Sequence, residues 1–213
     1  YPRPVNLSEI FDIPDNATAL VIAAPSHPLL ESERQALQRY LAQGGNLLWL
    51  LEPRHKEQKL LLSSLGITTT GGMVTTPQGE IFGGLEPTIT LVSRYVAHPI
   101  TEGFRSITLF PTATGIATLK PRKGWRTTTL LATSNQSWVE IGGTSETPIY
   151  DAGVDRAGPI VMGVALEKNT NDSSALPAQR IAVFTDTDLG GKDGYSEARP
   201  GGLVSPGNCG RVG

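Results

Sequence analysis

The sequence predicts a three-layer α/β domain built on a mostly parallel sheet, and three observations carry that expectation. Two apolar runs, near residues 19–23 and 47–51, flank a segment with helical period. Two more apolar runs, near 160–166 and 180–185, follow late in the chain. Between the two pairs, residues 68–150 are rich in threonine, glycine and valine, which reads as a β-rich insertion of short strands and hairpins.

The elements follow in order. Residues 1–18 carry Pro2, Pro4 and Pro14 among polar residues and read as an extended lead-in. Ala19-Leu20-Val21-Ile22-Ala23 is a short, wholly apolar run, the pattern of a strand buried on both faces. Pro25 and Pro28 then force a loop. From Leu30 the period changes: Leu37, Tyr40 and Leu41 recur at helical spacing, with Glu31, Glu33, Arg34, Gln38 and Arg39 on the other face. Glu31 and Glu33 suit the positive end of the helix dipole. Gly44-Gly45 ends the helix, because glycine takes a left-handed cap without steric cost. Asn46-Leu47-Leu48-Trp49-Leu50-Leu51 is the second strand. Strand, helix and strand form a β-α-β unit, whose crossover is right-handed in nearly all cases.

Residues 59–65 read as a short helix stopped by Gly66. The polar stretch 168–179, between the last two strands, reads as a long hairpin loop. Residues 1–189 are then a single domain. Residues 190–213, with many glycines and little to bury, read as a disordered or foreign tail.

Composition excludes several classes. A chain of 213 residues can bury a sizeable core. Eighteen Lys and Arg against twenty Asp and Glu leave a net charge of −2, which argues against a dedicated nucleic-acid binder. The single cysteine, Cys209, excludes an internal disulfide framework and a multi-cysteine zinc site. No apolar stretch approaches the ~20 residues that span a bilayer. Tyr1 opens neither an initiator methionine nor a signal peptide, so the chain reads as a piece of a longer protein. The phosphate-binding patterns G-x-x-x-x-G-K-S/T and G-x-G-x-x-G do not occur, which argues against a P-loop ATPase.

Three segments together resemble one family. They are Ala19-Leu-Val-Ile-Ala-Ala-Pro, then Tyr40-Leu-Ala-Gln-Gly-Gly-Asn-Leu-Leu-Trp-Leu, then Arg180-Ile-Ala-Val-Phe-Thr-Asp-Thr-Asp. His98-Pro99-Ile100-Thr101 and Leu109-Phe110-Pro111 lie in the matching order between them. In that order they resemble, over about residues 5–189, the auxiliary component of uncharacterised ABC-type transport systems, the group linked to bacterial gliding motility. The resemblance implies a flavodoxin-related, glutamine-amidotransferase-like layered domain. It implies an extracytoplasmic (periplasmic) domain of a membrane-anchored protein working beside an ABC transporter. Intraflagellar-transport subunits carry a related domain used for assembly. The family supplies no established catalytic residues. This sequence departs from its pattern after Asp188, where a glycine-rich tail stands in place of a helix rich in Asn and Leu.

Candidate chemistry is sparse. Cys209 follows no strand, as an amidotransferase nucleophile would, and no G-x-S-x-G elbow occurs. In doubly wound sheets ligands bind at the carboxyl ends of strands. Those ends carry Ser26 and His27, then Glu52, Arg54 and His55, then Asp186 and Asp188. On neighbouring strands they would converge on one rim, where carboxylates beside imidazoles can hold a metal or act as acid and base. The plain alternative is that strand-end loops are polar anyway. Asp186, Asp188, Gly191 and Glu197 have the spacing of a calcium loop, but Gly190 replaces a ligand and a strand precedes it, so chance spacing is the better reading. Lys120, Arg122, Lys123 and Arg126 around Trp125 suit an anionic ligand, or more simply a solvated turn. His98, held extended by Pro99, reads as a turn residue.

The expectation from sequence is a non-catalytic binding or assembly module with no cofactor and no metal. It would be tethered to the membrane by segments outside these residues, with ABC-transporter permease and ATPase subunits or other membrane-complex proteins as partners. The rival is a hydrolase or small-molecule or sugar-binding enzyme using the rim of His27, Glu52, His55, Asp186 and Asp188.

Overall fold

The structure, a computed structural model, describes residues 2–23, 27–51, 58–77, 87–143, 148–168 and 178–185. β1 (Leu20–Ala23), α1 (Glu31–Ala42) and β2 (Leu47–Leu50) open it. β1 lies parallel to β2, with Leu20 opposite Leu47 and Ala23 opposite Leu50. α1 begins at Leu30, which has no acceptor to offer the first turn; only the return bond forms, from the Leu30 N–H to Glu33 Oε2 at 2.8 Å. The helix ends as the glycine pair requires. The Gly44 N–H donates to Leu41 O at 3.2 Å and the Gly45 N–H to Tyr40 O at 3.0 Å, with Gly44 at φ 95°. This double closure satisfies two carbonyls that the helix leaves open.

α2 (Gln58–Ser64) stops at Gly66, whose φ is 82°. Short strands follow: β3 (Ile67–Thr69), β4 (Met73–Thr75), β5 (Ile89–Val92), β6 (Thr108–Pro111) and β7 (Ile116–Thr118). Then come β8 (Trp125–Ala132), β9 (Trp138–Glu140), β10 (Arg156–Ala157), β11 (Val161–Lys168) and β12 (Arg180–Phe184). The largest sheet has the order β1-β2-β12-β11-β8. β12 runs parallel to β2, whereas β11 is antiparallel to both β12 and β8. The remaining strands form small antiparallel groups, β10-β9-β4, β3-β7 and β5-β6.

The three-layer α/β sandwich with a mostly parallel sheet, flavodoxin-like or glutamine-amidotransferase-like, is therefore not the architecture. The fold is β-rich, made mainly of small antiparallel sheets, with two short helices among the described residues. Parallel pairing is confined to β1, β2 and β12. The reason lies in which faces are covered. Leu37 and Tyr40 of α1 and Leu61 and Leu62 of α2 share one cluster with Leu47, Trp49, Ile181, Val183, Val164 and Leu166. Both helices thus pack on the same face of the large sheet. On the reverse face of its parallel half, Val21 is 57% exposed and Leu48 and Leu50 are only half-buried. Behind the antiparallel half, strands replace helices: Val74, Val92, Phe110, Leu130, Val139, Met162 and Ala165 form a second cluster. A wholly apolar run fits burial on one face or on two, so β1 read as two-sided when it is one-sided.

Among the described residues no helix is long and apolar enough to cross a membrane.

Candidate functional site

Because β1, β2 and β12 are parallel neighbours, their carboxyl ends share one edge of the sheet. This is the edge at which the sequence places the polar rim. His27 lies there, exposed, in the segment that leads from β1 into α1. Glu52, Arg54, His55, Asp186 and Asp188 fall outside the described residues, as do Ser26, Cys209 and the calcium-like spacing. Among the described residues no three His, Cys, Asp or Glu side chains group closely enough to hold a metal ion.

The two other polar candidates resolve as local structure. The Ile100 N–H donates to His98 Nδ1 at 3.2 Å and the Thr101 N–H to His98 O at 2.9 Å, so His98 holds a turn. Its Nε2 is buried without a hydrogen bond among the described residues, 3.9 Å from Glu167 Oε1. In the basic cluster, the Arg122 guanidinium stacks over Trp125 at 4.6 Å and Arg126 pairs with Glu167. Gly124, at φ 79°, makes the turn, and residues 120–124 are exposed. These cations are already engaged with partners of their own chain or with solvent.

The concave feature at the rim is a cleft between α1 and α2, with a volume of about 230 Å³. Pro28, Leu29, Leu60 and Leu61 form its apolar walls and Trp49 lies at its buried side. Glu31, Arg34 and Gln58 supply its polar groups. Each wall follows from the local fold. Alternation along β2 sends Trp49 to the helix-covered face with Leu47. Pro28 and Leu29 belong to the extended stretch that precedes the helix, and Leu60 and Leu61 sit on the first turns of α2.

Among the described residues that line the cleft Glu31 is the one carboxylate, and both its oxygens are engaged, one by Arg34 and one by Gln35 Nε2 at 2.9 Å. Those two bonds, Arg34 first and Gln35 second, hold the Glu31 carboxyl below its usual pKa. The first turn of α1 carries no side-chain cap, so its N–H groups keep their positive partial charge. Trp49 is completely buried, and its indole Nε1–H finds no acceptor among the described residues. A buried tryptophan N–H usually has a partner, and leaving a donor unpaired costs about 1–3 kcal/mol.

A second hollow, of about 330 Å³, lies at the opposite end of the strands. Two of its lining side chains are engaged within the chain: Tyr40 Oη donates to Asn46 O at 2.9 Å and Asn46 Nδ2 to Thr18 O at 3.0 Å.

The rim read from sequence did not include Arg34, Trp49 and Gln58, which line the cleft. Two signals were present. A tryptophan inside a leucine strand carries an N–H that needs an acceptor, and a leucine at the helix start leaves the first turn uncapped.

Among solved structures, the chain is similar to one titled "mmIFT52 N-terminal domain", at 16% identity and a TM-score of 0.54. The likeness covers 82% of this chain and 68% of that one, and at such identity it is a likeness of fold. No curated protein sequence matches the chain significantly. A family described as "ABC-type uncharacterized transport system" matches over residues 1–201.

Proposed function

This chain belongs to the auxiliary family of uncharacterised ABC-type transport systems, and on that premise we propose that it is a non-catalytic binding and assembly domain. It acts outside the cytoplasm, beside the permease and ATPase subunits, held to the membrane by segments outside these residues. The family match over residues 1–201 carries this reading. The three quoted segments add the finer element, a system of the kind linked to gliding motility. The use of a related domain for assembly in intraflagellar transport supports an assembly role over a chemical one.

The test is made in the source cell with the full-length parent carrying an affinity tag. The permease and ATPase should co-purify with it in constant ratio, and protease added outside intact spheroplasts should cleave this domain. Recovery of the tagged protein without either subunit would overturn the assembly role, and protection from the protease would overturn the placement. Should the purified protein hydrolyse an ester or glycoside, and lose that activity in folded His55→Ala and Asp186→Ala variants, the non-catalytic reading fails.

A further inference from the structure

We propose that the end of the large sheet where the β7–β8 turn, the last residues of β11 and the start of β12 meet is a docking surface for an anionic lipid bilayer. The inference stands on charge and exposure in this chain and does not depend on the transport partners.

Taken alone, residues 120–124 are a solvated turn, but the fold brings further cations to them from strands distant in sequence. Lys168 stands opposite Trp125, over which Arg122 stacks at 4.6 Å. Glu167 stands opposite Arg126 on one neighbouring strand and Arg180 on the other, and residues so paired lie about 5 Å apart. Lys120, Arg122, Lys123, Arg126, Lys168 and Arg180 are all exposed, and Glu167 is the one carboxylate within residues 119–126, 166–168 and 179–181. Arg126 already claims that carboxylate, and the other five cationic side chains meet no carboxylate among the described residues. In a chain whose net charge is −2, this end is opposite in sign to the whole. Such a local field attracts an anionic partner. Two observations make that partner a surface of lipid. First, the cations are spread over the turn and over both faces of the sheet, since Glu167 and Lys168 are consecutive residues of β11 and point to opposite sides. Neither hollow described above is lined by any of them, so they offer a broad contact and no pocket. Second, exposed aliphatic side chains accompany them. Leu119, beside Lys120, is 47% exposed. Ile100 is 50% exposed, two residues from His98, whose Nε2 lies 3.9 Å from Glu167. A polyanion held by charge alone gains nothing from such carbon. A headgroup layer takes both, phosphate oxygens accepting from Lys and Arg while the apolar side chains enter between the headgroups.

The experiment floats the purified chain with vesicles of phosphatidylcholine, alone or with about 30% phosphatidylglycerol. At about 50 mM salt the protein should bind the anionic vesicles and not the neutral ones, and binding should fall steeply by about 0.5 M as salt screens the charges. Each cation removed should weaken binding about fivefold. The double variant Lys168→Ser, Arg180→Ser, with its fold checked by circular dichroism, should therefore lose about twenty-five-fold. Arg156→Ser removes an exposed arginine from β10, in another sheet, and should leave binding unchanged. Leu119→Ser should weaken binding to anionic vesicles, and soluble polyglutamate should compete poorly with them. Failure to bind anionic vesicles, equal binding to phosphatidylcholine alone, or indifference to the double variant overturns the proposal. Strong competition by polyglutamate, with vesicle binding indifferent to Leu119→Ser, overturns it in favour of an acidic protein partner held by charge alone.

Discussion

Gly44 and Gly45 are adjacent, yet each is glycine for a different physical reason. Gly44 sits at φ 95° with open space where a Cβ would project. Gly45 has no such dihedral constraint, but a Cβ there would run into the Cε1 and Cζ atoms of the Tyr40 ring. Gly44→Ala should therefore cost about 1 kcal/mol, the strain of a left-handed alanine. Gly45→Ala should cost more, about 1–3 kcal/mol, because Tyr40 must leave a buried site where its hydroxyl bonds Asn46 O. Urea midpoints of the two variants check the order, and a Gly44 variant less stable than the Gly45 one would refute it. Tyr40 and Tyr95 also shape the alkaline limit. Burial is the main cause that raises both phenols above their ordinary pKa. Their contribution is then complete below the unfolded value of about 10 and is lost as pH climbs through the folded values. The unfolded chain ionises first, so stability must fall above about pH 10. Tyr40→Phe and Tyr95→Phe should flatten that fall, and slopes identical to the parent would refute the assignment.

At the scale of elements, what could be read from sequence depended on whether a signal was local. The β1-α1-β2 unit was legible because apolar run, helical period and terminal glycines lie within about thirty consecutive residues and agree with one another. The hairpin of β11 and β12 was legible for the same reason, as two apolar runs around a polar stretch. Covering of the sheet was not, since it depends on where distant segments fold back. Nothing in Leu20-Val21-Ile22-Ala23 says that Val21 looks outward. The cleft was half legible: the strand ends marked its edge, but its second wall comes from α2, and the missing acceptor for Trp49 is a fact of packing. Gly163 is the same kind of case. It sits at an irregularity in the β11–β8 register, and a Cβ there would lie 2.7 Å from the Phe184 ring. Phe184 ends β12 and packs against the second cluster. Gly163→Ala should then destabilise by about 1–3 kcal/mol through displacement of that ring. Phe184→Leu should recover part of the loss in the double variant, and additive losses would exclude the contact as the cause.

For the whole molecule, one sheet carries two cores, and β11 belongs to both. Val164 and Leu166 face the cluster under the helices, while Met162 and Ala165 face the cluster built by the short strands. The parallel half has a covered face and an open one. Leu37→Ala, under α1, should cost about 2–5 kcal/mol, whereas Val21→Lys on the open face should stay within about 0.5 kcal/mol. A Val21→Lys loss near that of Leu37→Ala would mean that the face is covered. The shared strand also fixes how the two cores unfold. Releasing either cluster strips one face of β11, and the other face cannot hold the strand in register alone, because its pairing with β8 and β12 serves both. Leu37→Ala in the first core and Phe110→Ala in the second should thus lower a single urea transition, followed equally by fluorescence and by circular dichroism. If Phe110→Ala instead splits unfolding into two steps, with the helical signal surviving the first, β11 does not couple the cores. The antiparallel strands would then be a separate unit resting on the sheet.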